Sequence, residues 1–351
     1  IRPAELNHEP MSGAFSFGKT TACLSAALCF VLAITSAEAN PKRWAKEWPN
    51  TDFSRASIDF SDVKSGGPGK DGIPAIDSPR FVPAAMIQKE TDWLGPDEPV
   101  ISVTVNGEAR AYPVSTLMWH EIVNDEFNGL PLTITYCPLC NSGIVFQRTV
   151  GDRVLDFGVS GKLRHSDMVM YDRQTESWWQ QFLGQAVVGE MLGAELETYP
   201  ARTESFSRFL ARHPAGDVLV PRDPGSRNYG GNPYRKYDSA RKPFLYDGRY
   251  DGPVPPLSRV VAIGDQAWAL DMVRELGRVE AGDIIISWEA GQNSPLDTGL
   301  VRKGRDIGNV VIQRKNQDGT LTDVAHDIPF AFAFKAFRPN GVIHADSAEA
   351  N

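Results

Sequence analysis

Cysteine is scarce: the 351 residues hold four, at 23, 29, 137 and 140. No block of lysine and arginine stands out and the net charge is −8. The basic footprint that nucleic acid requires is therefore missing. No apolar run reaches the ~20 residues needed to span a bilayer. Long helical periodicities are few. No phosphate loop, dinucleotide fingerprint or haem attachment motif occurs, which removes the common nucleotide and c-type haem classes. Ser160, in Gly158-Val-Ser-Gly161, has neither a nucleophile-elbow pattern nor a convincing base, so a hydrolase fits poorly. A second C-x-x-C, which rubredoxin and zinc-ribbon sites need, is also absent.

What is present points to strands. The chain has 25 Pro and 31 Gly, with 42% hydrophobic and 23% charged residues. That supports a loop-rich, β-dominated fold with enough apolar mass for one large domain or two smaller ones. The fold class expected is α+β and β-rich, with mixed or antiparallel sheets and short helices.

Residues 1–10 read as an upstream extension, because Met11 is a plausible start. Lys19, the apolar run from Ala22 to Ile34, and Ala37-Glu-Ala39 then form a secretory signal peptide, residues 11–39. Cleavage is expected after Ala39, giving a periplasmic or secreted protein with no stable membrane span. Neither Cys23 nor Cys29 has lipobox surroundings. Their removal leaves Cys137 and Cys140 as the only cysteines of the mature chain.

Residues 40–80 are polar and broken by Gly and Pro, as an extended arm would be, with Asp71-Gly-Ile-Pro-Ala-Ile-Asp77 as its docking point. A Cys-containing β-rich unit is expected over 81–220. Within it, Val100 to Val105 alternates as a strand, Asn106-Gly107 signals a type I′ hairpin, and Glu108 to Tyr112 returns. Pro113 suits the start of a helix running to about Val123, which carries His120. Further strands are expected over Leu132–Tyr136, Ile144–Arg148, Arg153–Val159 and Met168–Asp172, with Ser160-Gly161 as a separator. Thr203 to His213 reads as a short helix. Residues 221–256, dense in Pro, Gly, Tyr and Arg, form either a linker or a binding loop over a scaffold. A second β-rich unit follows at 257–339, then a tail at 340–351. Arg259 to Leu270 echoes Ile101 to Tyr112, and Ile284 to Trp288 echoes Leu132 to Tyr136. A duplicated hairpin–helix–strand unit is therefore expected, with Glu289-Ala-Gly-Gln292 where the first copy has Cys137-Pro-Leu-Cys140.

That C-P-L-C pair carries the chemistry. It can exchange electrons as a dithiol, supply two thiolates to a metal, or form an inert disulfide. The last gains little, because the loop it closes is minimal. Redox sites of the thioredoxin type place the first Cys at a helix start, whereas Asn141-Ser-Gly-Ile-Val-Phe146 looks like a strand. A metal site would recruit His120 and His165, and Met168 and Met170 beside His165 would suit copper.

Glu108-Ala-Arg-Ala-Tyr-Pro113, His120-Glu-Ile-Val-Asn-Asp125, Thr135-Tyr-Cys-Pro-Leu-Cys140, Phe157-Gly-Val-Ser-Gly161, Met170-Tyr-Asp-Arg173 and Trp178 resemble the bacterial and archaeal family called domain of unknown function 3179. The resemblance covers roughly Asp71 to Pro339. It implies no established activity. It does imply that Cys137, Cys140 and His120 belong to the family's motif set. Members are named as possible selenoproteins, which implies that selenocysteine can stand at one of the two Cys positions and favours redox chemistry.

The expectation is an exported thiol-redox protein that needs no cofactor. Cys137 would attack, Cys140 would resolve, and His120 or His165 would assist proton transfer; its partner would be a periplasmic protein or a small thiol. The alternatives are a periplasmic copper or zinc protein with Cys137, Cys140, His120 and His165 as ligands, and an interaction module with a structural disulfide.

Overall fold

The computed structural model describes residues 41–90 and 93–346. The expected extension, signal peptide and cleavage point at residues 1–39, and residues 347–351 of the tail, lie outside them. Strands dominate, in small sheets linked by short helices. Among the described residues no helix is long and apolar enough to cross a membrane.

The arm lies along the first unit. Its strand β1 (Val63–Ser65) borders a five-stranded sheet, and Ile76 pairs with Val123. Asp71 accepts a hydrogen bond from Tyr171, and Asp77 accepts one from Asn124. Where the arm crosses the sheet, the carbonyl of Pro68 would stand 2.0 Å from a Cβ at position 161, so only Gly161 leaves room for it.

In the first unit, β2 (Pro99–Val105) and β3 (Glu108–Pro113) form a hairpin. Asn106 and Gly107 at its turn have φ of 52° and 85°, as type I′ requires. Helix α1 (Val114–Leu117) follows and stops six residues short of the expected end at Val123. Ile122 and Val123, expected to end that helix, instead open β4 (Ile122–Phe127), paired across Asn128-Gly129 with β5 (Leu130–Cys137). That pairing buries Ile122, Val123 and Phe127. His120 therefore sits in a turn, not on a helix. β5 continues through the cysteine loop into β6 (Ser142–Gln147).

A sheet is inserted next. β7 (Phe157–Arg164) runs through Ser160-Gly161, which were expected to separate strands, by means of a bulge between Val159 and Lys162. The chain reverses instead at His165-Ser166 into β8 (Asp167–Asp172). Both turn residues have positive φ, 52° and 68°. Strands β9 (Trp178–Gln180) and β10 (Gln185–Val188) complete this sheet. The first unit then resumes with β11 (Thr198–Tyr199) beside β6, and β12 (Ala201–Ser205) beside β2. Helix α2 (Phe206–Arg212) and β13 (Asp217–Val220) close it, with β13 parallel to β3.

The second unit repeats this order. Hairpin β14 (Val260–Ile263) and β15 (Gln266–Ala269) leads to α3 (Leu270–Leu276), β16 (Arg278–Ala281), β17 (Ile284–Glu289), β18 (Asn309–Lys315) and β19 (Leu321–Asp323). Residues 327–330 bridge to the β14 side as β12 does to β2. Helix α4 (Ala331–Phe337) and β20 (Val342–His344) follow, with β20 parallel to β15. One apolar core contains residues of both units, including Tyr136, Phe146, Phe330 and Phe334. Each buried Phe of α4 contributes roughly 2–3 kcal/mol. Residues 221–256 contain one short 3₁₀ turn, Tyr237–Ser239, and lay Tyr234, Tyr237, Tyr246 and Tyr250 on this core.

Candidate functional site

β5 delivers Cys137 at its last position and β6 departs from Ser142, its register partner. Between them Pro138, with its fixed φ, starts the turn, and Asn141 closes it in the left-handed region (φ 51°) with its amide on the Pro138 carbonyl. The pair thus sits on a strand–knuckle–strand element, without the helix N-terminus that stabilises thiolates in redox proteins of the thioredoxin type.

Both sulfurs are buried, Cys137 at 2% exposure and Cys140 at 0%. They lie 4.0 Å apart as two thiols. The third member of the group is Asp167, the first residue of β8, fully buried. One carboxylate oxygen of Asp167 and the two sulfurs lie within 4.8 Å of one another. Oδ2 of Asp167 accepts from Gln180 Nε2 (2.6 Å) and from the Phe182 amide (3.0 Å). Oδ1 has no partner of normal hydrogen-bond geometry among the described residues, although the two thiols stand beside it. The Cys137 thiol points to the Ser166 carbonyl at 3.8 Å.

Burial sets the protonation here. It pushes both thiols up, and the carboxyls of Asp167 and Glu121 push Cys137 further. Burial raises Asp167 to about 7. It raises Glu121 to about 8, helped by the Asp167 charge. Four acidic groups therefore share one desolvated region; the two thiols and Glu121 hold their protons at neutral pH, and Asp167 is about half ionised there.

The second unit clamps the knuckle. The Phe330 amide donates to the Cys140 carbonyl (2.8 Å). Asn141 Nδ2 donates to the Ile328 carbonyl (2.7 Å), and the Gly143 amide donates to Asp327 (2.9 Å). From the other side, Tyr237 donates to the Leu139 carbonyl and Ser166 Oγ donates to the Phe244 carbonyl. A cavity of about 450 Å³ opens beside the knuckle, walled by Leu139, Met168, Glu121, Tyr234, Tyr237 and Phe244 among others.

The two histidines read as ligands lie elsewhere. His120 Nδ1 is 2.7 Å from the Pro74 carbonyl, which can only accept, so that nitrogen carries the proton. Nε2 then accepts from Tyr229 (2.8 Å), leaving a neutral ring that ties the arm to the 221–256 segment. His165 has Nε2 3.8 Å from Asp62, and its ring packs against Tyr246 and Phe337. Neither joins the group that surrounds the sulfurs. Asp167 and Glu121 were not singled out in the sequence. Glu121 sits inside the His120-Glu-Ile-Val-Asn-Asp125 motif, and Asp167 heads an apolar strand, where a carboxylate is out of place.

No curated protein and no solved structure matches the chain. A family model does match, over residues 70–341, and it includes the knuckle, Asp167 and both units. The chain belongs to the family described as "Protein of unknown function (DUF3179)".

Proposed function

We propose that the chain is an exported metalloprotein whose single ion is held by Cys137, Cys140 and Asp167. One observation carries this reading: three buried potential anions within 4.8 Å, with no ion pair to Asp167 among the described residues and one of its oxygens without a partner other than the two thiols. Without a counter-ion such groups keep their protons. A divalent ion displaces the protons and gives all three a common partner. Two sulfurs and one oxygen suit zinc, which leaves a fourth position for water or a ligand. Copper(I) would favour the sulfurs over the carboxylate. The resulting net charge of −1 has Arg164 within electrostatic reach.

Metal analysis and thiol titration on protein purified from its native compartment test this. One ion per chain is expected, with both thiols unreactive until a chelator is added. Protein that stays metal-free after zinc and copper(I) loading overturns it.

Thiol exchange is the second reading, favoured by the 4.0 Å sulfur separation with Asp167 beside both thiols. The Cys137 thiolate would attack a disulfide of a periplasmic protein or small molecule, with Asp167 taking its proton. Cys140 would then attack the mixed disulfide. Cys137 and Cys140 end bridged and the partner ends as two thiols. Deep burial and raised thiols weigh against this reading. A reversible disulfide in metal-free protein, lost in Cys137→Ser, would favour it.

The two units read as a duplication with the donors kept in one copy only, and residues 11–39 as the signal peptide that exports the chain.

A further inference from the structure

The cavity beside the knuckle carries a charge pattern that the metal reading does not use. Its volume of about 450 Å³ falls within the range of small-molecule sites. Glu121 stands at its inner wall, 8% exposed. The Glu121 carboxyl has no hydrogen bond or ion pair among the described residues, and neither has the Tyr234 hydroxyl in the same wall. Arg235 is exposed at the rim and is likewise unpaired among the described residues. Lys162, also in the wall, is already neutralised by Glu47 at 3.0 Å. Glu121 deep inside keeps its proton while unpaired and would ionise against a cationic group; with the exposed cations Arg235 and Lys236 also among the lining residues, the wall fits a ligand with two charged ends.

The backbone at Glu121 adds a second, independent observation. Its φ is 57°, a left-handed conformation that costs a β-carbon residue ~1–2 kcal/mol. The second unit has Gly277 at the same place, with φ 69°. The two residues make the same pair of bonds. The Glu121 amide donates to Leu117, and its carbonyl accepts from Tyr136 (2.6 and 2.8 Å). The Gly277 amide donates to Val273, and its carbonyl accepts from Trp288 (2.8 and 2.9 Å). The fold thus takes glycine here without difficulty, and the first unit instead places a glutamate in the cavity wall. Strain of this kind collects where function needs it.

We propose that this cavity binds a small amino-acid-like zwitterion, its ammonium group on Glu121 and its carboxylate on Arg235. An apolar side chain would lie against Leu139, Met168 and Phe244. The site is beyond the metal reading and does not require it.

Calorimetric titration with L-leucine tests the site, with 4-methylpentanoate and 3-methylbutylamine as analogues lacking one charged end. The titrations use the wild-type protein and the Cys137→Ser/Cys140→Ser variant. Leucine is expected to bind both proteins, and loss of either end should weaken binding about tenfold or more. Glu121→Gln should weaken leucine but not 4-methylpentanoate, and Arg235→Ala should weaken leucine but not 3-methylbutylamine. Glu121→Gly, which installs the residue of the second unit, should fold at least as stably and lose leucine binding. Three results each overturn the proposal: no saturable leucine binding by ~10 mM, analogues that bind as well as leucine, or unchanged binding in Glu121→Gly. Because the double Ser variant has lost two proposed metal ligands, failure of the metal reading leaves these outcomes intact.

Discussion

Asp167→Asn makes the protonation argument quantitative. Asp167 titrates at about 7 in the folded protein, against 3.8 for an ordinary Asp. A carboxyl raised in this way binds its proton more tightly when folded. Its stability contribution is complete below the unfolded value and is lost as pH rises through the folded one. By pH 8 the ~3-unit difference costs about 4 kcal/mol, and at pH 5 only about 1.5 kcal/mol of that has been incurred. Asp167 alone should therefore remove about 2.5 kcal/mol of stability from the metal-free protein between pH 5 and pH 8. Glu121, raised to about 8, acts with the same sign. Asparagine keeps an oxygen for the Gln180 and Phe182 donors but has no proton to lose. Urea unfolding of reduced, chelator-treated protein at the two pH values provides the measurement. The variant should show a much flatter pH dependence and be the more stable protein at pH 8. It should also lose most of the stabilisation that zinc gives to the wild type. If wild type and variant lose the same stability between pH 5 and 8, the carboxyl is not desolvated as the structure describes and the reasoning fails.

Three further outcomes are expected. Gly161→Ala should cost several kcal/mol and unseat the arm, since the new Cβ meets the Pro68 carbonyl at 2.0 Å; limited proteolysis within residues 41–70 would report it, and an unchanged digestion pattern would contradict it. His120→Ala and His165→Ala should each retain one ion per chain by elemental analysis, because neither ring is near the sulfurs; loss of the ion in either would restore the histidine ligand set. Tyr112→Phe should destabilise by about 1–3 kcal/mol in denaturant unfolding, because it leaves buried Asp125 without its 2.6 Å donor; a neutral result would show that Arg110 and the Glu126 amide together satisfy that carboxylate.

Local signals in the sequence were enough to locate the knuckle and its strand flanks. Asn106-Gly107 and Asn128-Gly129 are turn pairs whose backbone preference is intrinsic, and Pro138 limits what the cysteine loop can do. The failures arose where tertiary packing overrode those signals. His165-Ser166 makes a two-residue reversal without Asn or Gly, so Ser160-Gly161 drew attention to the wrong place. The pattern after Pro113 reads as a helix to about Val123 because nothing local says that Glu121 is left-handed. That error put His120 on a helix that ends at Leu117. The third donor was hidden for a related reason. Asp167 reaches Cys137 and Cys140 only through the packing of two sheets, which no residue spacing encodes.

The clamp on the knuckle also has a consequence for timing. Asn141 and Gly143 find their partners 187 and 184 residues later in the chain. During synthesis the cysteines emerge long before residues 327–330 exist to enclose them. Contacts this distant form late, after a large loop has closed. Until then the thiols are solvated, ordinary in acidity and open to oxidation or to stray metal. The finished centre is thus a property of the completed chain, and the nascent one is the stage at which a chaperone or metal donor would have free access to it.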